Sequence, residues 1–242
     1  MHLRAVCPMF LAVAVALVLA AYAASGGADD WRNGRDVPPG WVGLLTGGGM
    51  VVGEAAGVYL GNGRIVTAAH ALPAYEVGWR IDVYQPQGMG NPVLKRRAVV
   101  KALDTHSDIA RLELIGPAEF TSAQACAEAP KVDERVLFFK VARERQTMTA
   151  VVSVQTTYLG LRKIPEHVGG PAESMAGQER YAFTGAAEPG MSGGGAYSVE
   201  RGCLFGIASL VDVVPRDPDA IGSNSAETDA GTFVIPAALL TQ

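Results

Sequence analysis

From Trp41 to Pro236 the hydrophobic positions fall in short runs, several alternating apolar with polar residues, and clusters of Gly, Asn, Asp and Pro separate them. The runs are rich in Val, Ile, Tyr, Phe and Thr, as half-buried strands are. The pattern predicts strands over Trp41–Leu45, Gly57–Leu60, Arg64–Thr67, Trp79–Tyr84, Arg96–Leu103 and Ile109–Leu114. It predicts further strands over Arg135–Val141, Met148–Leu159, Arg180–Thr184, Gly194–Val199, Leu204–Val211 and Thr232–Pro236. Gly61-Asn62-Gly63 between two of them is a hairpin turn, because Asn-Gly supplies the positive φ angles that tight hairpins need. No helical pattern recurs between strands, so a parallel βαβ architecture is disfavoured and closed or sandwiched antiparallel sheets remain. The Ala- and Pro-rich stretch from Gly116 to Val132 divides the strands into two groups of similar size, which suggests two barrels and a linker. Val211–Gly231, carrying Asp212, Asp217, Asp219, Glu227 and Asp229, reads as a long polar loop.

The N-terminus follows a different pattern. Arg4 precedes an unbroken apolar run from Phe10 to Ala20, and Ala21-Tyr22-Ala23 offers the small-x-small string that signal peptidase reads, so residues 1–23 are expected to be a cleaved signal peptide. The alternative is an uncleaved anchor over Val6–Ala24, interrupted by Pro8. Residues 24–40 are polar and turn-rich and are expected to form a flexible arm before a folded domain over 41–242. No later segment is apolar for long enough to span a bilayer, so the mature chain is expected to be secreted or periplasmic, with no membrane contact.

Composition narrows the class further. The 242 residues are 49% hydrophobic and 18% charged, with 20 Lys+Arg against 24 Asp+Glu and a formal net charge of −4. A disordered chain would be poorer in apolar residues, and a nucleic-acid binder would normally be basic. The 29 glycines and 14 prolines, spread without period, suit many strands joined by tight turns. Cys7 lies in the leader, leaving Cys126 and Cys203 in an oxidising compartment, either as a single disulfide or as two unrelated thiols. The sequence leaves the oligomeric state open.

Only four histidines are present: His2, His70, His106 and His167. His70 ends the string Thr67-Ala68-Ala69-His70, where a β-run passes into small residues. Ser107-Asp108-Ile109-Ala110-Arg111-Leu112 places an aspartate immediately before a strand. Gly190-Met191-Ser192-Gly193-Gly194 sets a serine among glycines that let the backbone turn sharply and present its N–H groups. These three strings, in the order His, Asp, Ser and spaced by 38 and 84 residues, resemble the T-A-A-H, D-I-A-x-L and G-x-S-G-G hallmarks of the chymotrypsin-like (trypsin-type) serine proteases. Gly206-Ile207-Ala208-Ser209 resembles the family's strand after the serine, and the likeness spans roughly residues 41–240. Chain order eliminates rivals: an α/β-hydrolase needs a histidine after the serine, and a subtilisin-like arrangement needs a structured aspartate before the histidine. Neither H-E-x-x-H nor paired C-x-x-C appears, so no metal or other cofactor is expected.

The resemblance implies an all-β fold of two antiparallel six-stranded barrels, about 41–115 and 133–242, with the linker at about 116–132 and the active site in the cleft between them. It implies His70 as general base, Asp108 as its orienting partner, Ser192 as nucleophile, the N–H groups of Gly190 and Ser192 as oxyanion hole, and Ser209 as support for the aspartate. It also implies a Cys126–Cys203 disulfide. The specificity pocket would involve Ala186, Ala208 and Gly231, suiting small or medium apolar residues unless Glu188 or the acidic loop reaches it. Within the family the chain resembles HtrA-like and other bacterial trypsin-like peptidases more than digestive trypsins, on Thr184-Gly185-Ala186-Ala187-Glu188-Pro189-Gly190, one residue shorter than their lead into the serine, and Gly231-Thr232-Phe233-Val234-Ile235-Pro236. With fifty residues after Ser192, their PDZ domain is not expected here. Gly195 replaces the usual proline after S-G-G, which is expected to loosen that turn. Met191 cannot accept the ion pair that matures trypsin-type zymogens, so activation by that route is not expected. The substrates are then proteins or peptides, and the alternative is a catalytically silent binding module of the same fold.

Overall fold

A computed structural model describes residues 30–33, 36–46, 53–86, 93–117, 119–144, 147–165, 174–185, 188–215 and 228–241. The leader, and with it the expected cleavage site, lies outside the described residues. The first group of strands is β1 (Trp41–Thr46), β2 (Gly53–Gly61), β3 (Arg64–Ala68), β4 (Arg80–Pro86), β5 (Val93–Asp104) and β6 (Ile109–Leu114). These close into an antiparallel barrel in the order β1-β2-β3-β6-β5-β4. The second group is β7 (Arg135–Glu144), β8 (Thr147–Lys163), β9 (Glu179–Thr184), β10 (Gly195–Ser198), β11 (Leu204–Pro215) and β12 (Thr228–Pro236). It closes in the order β10-β11-β12-β9-β8-β7, so the chain is a double barrel. Closure leaves no unpaired sheet edge to be covered.

Alternation along the strands decides what each barrel encloses. β4 runs exposed-buried-intermediate with Ile81, Val83 and Gln85 inward. With Val42, Leu44, Ile65, Ala98, Val100, Ala110 and Leu112 these fill the first barrel. Val136, Phe138, Phe183, Ala196, Phe205 and Val234 fill the second. A third cluster lies between the barrels and draws on both, including Trp41, Val58, Val66, Phe139, Tyr197, Ile207 and Ile235. Trp41 Nε1 donates to Phe139 O at 3.2 Å across that seam, and Ala56 N donates to Ser192 O at 3.1 Å. The β2–β3 turn has Asn62 at φ 53° and Gly63 at φ 76°, the conformation the Asn-Gly pair was expected to supply.

Three expectations change. Val211–Gly231 is not wholly a loop: β11 continues to Pro215 and β12 begins at Thr228, with Val213 opposite Ala230. The valines of that stretch favour extended backbone, and each pair added to an existing hairpin needs no new loop closure. The segment expected to be a flexible arm is anchored where it is described. Trp31, in a short 3-10 turn over Asp30–Asn33, is only 3% exposed and packs edge-on against Tyr197 at 5.8 Å. Gly195 does not loosen its turn: it is buried in β10 opposite Ile207, and a Cβ there would meet the Tyr197 ring at 2.4 Å. The linker is tied to the second barrel by Leu204 N donating to Gln124 O at 2.8 Å and Cys126 N to Leu204 O at 2.9 Å. Cys126 and Cys203 are disulfide-bonded beside those contacts.

Candidate active site

His70 sits in a 3-10 turn, Ala69–Ala71, that ends β3. Asp108 is the last residue before β6 and carries φ 59°, a left-handed conformation that aspartate tolerates better than bulkier residues. That twist turns its carboxylate back toward the His70 turn, where His70 N donates to Asp108 Oδ1 at 2.9 Å and Ala69 N to Asp108 O at 3.1 Å. The imidazole Nδ1 then lies 2.9 Å from Oδ2 and 3.1 Å from Oδ1. On its other side Nε2 is 3.0 Å from Ser192 Oγ. A carboxylate that is 2% exposed is thus aligned with an imidazole and a hydroxyl drawn from both barrels.

Ser209 reaches the same carboxylate from the second barrel, its Oγ donating to Asp108 Oδ2 at 2.5 Å. The β11–β12 register explains how. Ala208 pairs with Val234 and Leu210 with Phe233, so Ser209 is the extra residue of a β-bulge and its side chain is re-aimed out of the ladder. The Met175 sulfur is 3.6 Å from the same hydroxyl.

The turn that carries Ser192 is held on both sides. Met191 N donates to Glu188 O at 3.0 Å, Gly193 N to Ala208 O at 2.8 Å and Gly194 N to Met191 O at 2.7 Å. The N–H groups of Gly190 and Ser192 donate to no acceptor among the described residues. Gly190 is at φ 89° and Gly193 at φ 77°. A Cβ on Gly193 would fall 1.9 Å from Thr67 Oγ1, which itself donates to Ala56 O at 2.7 Å. Met191 is buried among the second barrel's apolar side chains, with its sulfur 3.0 Å from Glu188 N.

The remaining expected residues divide. Ala208 is buried, and its N–H donates to Gly194 O at 2.8 Å. Gly231 is in β12, opposite Thr184 and Asp212. Ala186 lies outside the described residues, so the pocket it was expected to line is not described at that wall. Glu188 is ion-paired with Lys140 on the β7 side of the serine turn. His106 is on the exposed β5–β6 connection and His167 lies outside the described residues. Among the described residues no three His, Cys, Asp or Glu side chains are grouped closely enough to hold a metal ion.

Sequence reading passed over Arg180, Gln178, Ser174 and Met175, all second-barrel residues: the first three converge on the three residues before Asp108, and Met175 meets the Ser209 hydroxyl that donates to Asp108. None of the four sits in a motif, and only the docking of the two barrels brings them there.

Residues 55–207 match the profile of a protein family described as "Trypsin-like peptidase domain". No curated protein matches the sequence. Among solved structures, the chain is similar to the active form of the Rv3671c protease from M. tuberculosis, with a TM-score of 0.58 at 20% identity over 84% of this chain and 78% of that one. It is similar also to the serine endoprotease from Yersinia pestis, with a TM-score of 0.58 at 19% identity over 87% of this chain and 63% of that one.

Proposed function

Because this chain belongs to the trypsin-like peptidase family, and is on that ground a serine endopeptidase, we propose that it is exported and cleaves peptide bonds through an acyl-enzyme formed on Ser192. The observation that carries this reading is the unbroken line from Asp108 through His70 to Ser192, with 2.9 Å and 3.0 Å at its two links.

In this reading Ser192 Oγ attacks the substrate carbonyl while neutral His70 takes its proton at Nε2. Asp108 fixes the imidazole with Nδ1 protonated and stabilises the imidazolium that forms. The oxygen of the tetrahedral intermediate is stabilised by the N–H groups of Gly190 and Ser192, whose freedom from other acceptors among the described residues supports the assignment. Return of the proton from His70 to the leaving amine gives the acyl-enzyme, and water activated by the same imidazole releases the acid. Ser209 supports Asp108 through its hydroxyl. Ala208 and Gly231 would give the specificity pocket small, uncharged walls suited to small or medium apolar side chains.

Export is supported by the leader-like N-terminus and by the Cys126–Cys203 bond, which persists in oxidising compartments. Among the described residues no helix is long and apolar enough to cross a membrane. Cleavage of fluorescein-labelled denatured casein tests the catalytic reading: Ser192→Ala should lower turnover on the order of a million-fold, as nucleophile knockouts do. Equal casein cleavage by both proteins would exclude Ser192 as nucleophile, and a folded wild-type protein without turnover would identify a silent binding module.

A further inference from the structure

Three consecutive carbonyls of the β5–β6 connection each accept a hydrogen bond from a different second-barrel side chain. Thr105 O accepts from Ser174 Oγ at 2.9 Å, His106 O from Gln178 Nε2 at 2.8 Å, and Ser107 O from Arg180 Nη2 at 3.3 Å. Asp108 is the next residue. Consecutive backbone acceptors on one barrel satisfied by the other fix that connection in place at the barrel seam, and so fix the direction from which Asp108 meets His70.

Arg180 is the unusual member. It is 4% exposed, its Nη2 also donates to Gln178 Oε1 at 2.5 Å and its Nη1 to Glu179 O at 3.0 Å, while its buried Nε has no partner among the described residues. Among the described residues no carboxylate lies within ion-pair distance of it. Burial pulls its guanidinium below the usual arginine range, and the charge of Asp108 works in the opposite direction. Burying an arginine with no direct counter-ion is costly, and an apolar residue would fill the place at less cost if packing were all that is required.

We propose that Arg180, seated by Gln178, is a positioning residue for Asp108: it ties the Ser107 peptide to the second barrel and places a fixed positive charge behind the Asp108 carboxylate. Among the described residues the ionisable groups around that carboxylate are His70, from the turn after β3, and Arg180, from β9. β11 contributes the neutral Ser209, whose hydroxyl is backed by the neutral Met175 from the turn before β9. His106, whose Nε2 is 3.4 Å from Gln178 Nε2, and Asp104, which caps the His106 and Ser107 N–H groups, lie further along the connection. A positive charge on that side of the Asp108–His70 pair disfavours a second positive charge beside it, so its removal is what a pH profile reads. The inference rests on the catalytic reading above.

Arg180→Gln removes the charge and keeps an amide donor, whereas Arg180→Lys keeps the charge and loses the planar fork. The pH dependence of fluorophosphonate labelling at Ser192 reads the charge, and casein cleavage reads turnover. Arg180→Gln should move the acid limb of labelling upward by about half a pH unit or more. It should also lower kcat about tenfold with KM little changed, as expected for an interaction made in the transition state. Arg180→Lys should return the acid limb to the wild-type position. Acid limbs at the wild-type position in both variants would overturn the charge role and leave Arg180 as packing. If neither variant folds, Gln178→Ala, at a half-buried side chain, decides: a several-fold fall in kcat at constant KM is expected, and wild-type kcat overturns the proposal. A wild-type protein whose labelling does not depend on Ser192 overturns the catalytic reading and this inference together, a result distinct from all of these.

Discussion

At the scale of single residues, the charged groups that the fold takes out of water meet different partners. Asp108 accepts from a backbone N–H, an imidazole and a hydroxyl, so its lone pairs are covered on every side. Glu134 is the contrasting case, away from the candidate site. Burial pushes its carboxyl up, but Arg201, the N–H of Lys131 and the hydroxyl of Ser198 together hold it below the ordinary value of 4.5. A carboxyl whose folded value is depressed contributes stability that is present above its unfolded value and lost as pH falls through the folded one. Denaturant melts between about pH 5 and 3 should therefore show wild-type stability falling, and Glu134→Gln should be weaker at neutral pH yet flatter across that window. Parallel curves for the two proteins would remove Glu134 from the acid response. At this scale the sequence is legible where chemistry is written in contiguous strings, as around His70, Asp108 and Ser192. Arg180 is not legible, because a lone arginine opening a strand reads as a solvated residue until the fold sets it against the Ser107 peptide.

At the scale of elements, the strand pattern is read almost whole from alternation and turn residues, whereas the irregularities that aim side chains are not. The β11 bulge that swings Ser209 onto Asp108 depends on pairing with β12, a partner more than twenty residues away in the chain. The serine turn shows the same dependence. Gly193 could be read as a residue that lets the chain bend, but the contact that demands glycine comes from Thr67 and Ala56 on the other barrel. Gly193→Ala adds a methyl group where Thr67 Oγ1 already stands, on a backbone at φ 77°. The expected outcome is a loss of about 3 kcal/mol or more in urea unfolding and loss of Ser192 labelling. A variant with wild-type stability and labelling would show that the two barrels are not as closely apposed at this turn as described.

At the scale of the whole molecule, two closed barrels each with its own core are joined by a third apolar cluster, and the aligned triplet of side chains straddles that junction. Barrel docking and assembly of the candidate site are therefore one event. Trp31 extends the junction into a segment whose polar, turn-rich sequence gives no hint of it, since a single tryptophan among Asp, Arg, Asn and Gly has no periodicity to read. Trp31→Ala should cost about 3 kcal/mol by denaturant melting, the lower end for removing a buried large aromatic, whereas a free arm would cost nothing measurable. The central claim is that one hydroxyl, activated by one imidazole across the junction, is the nucleophile. Its most direct test is fluorophosphonate labelling of the purified protein followed by peptide mapping, in wild type, Ser192→Ala and His70→Ala. The account predicts a single adduct on Ser192, absent in Ser192→Ala and slowed at least a thousand-fold in His70→Ala. An adduct on another residue, or labelling of Ser192 at the wild-type rate without His70, would contradict it.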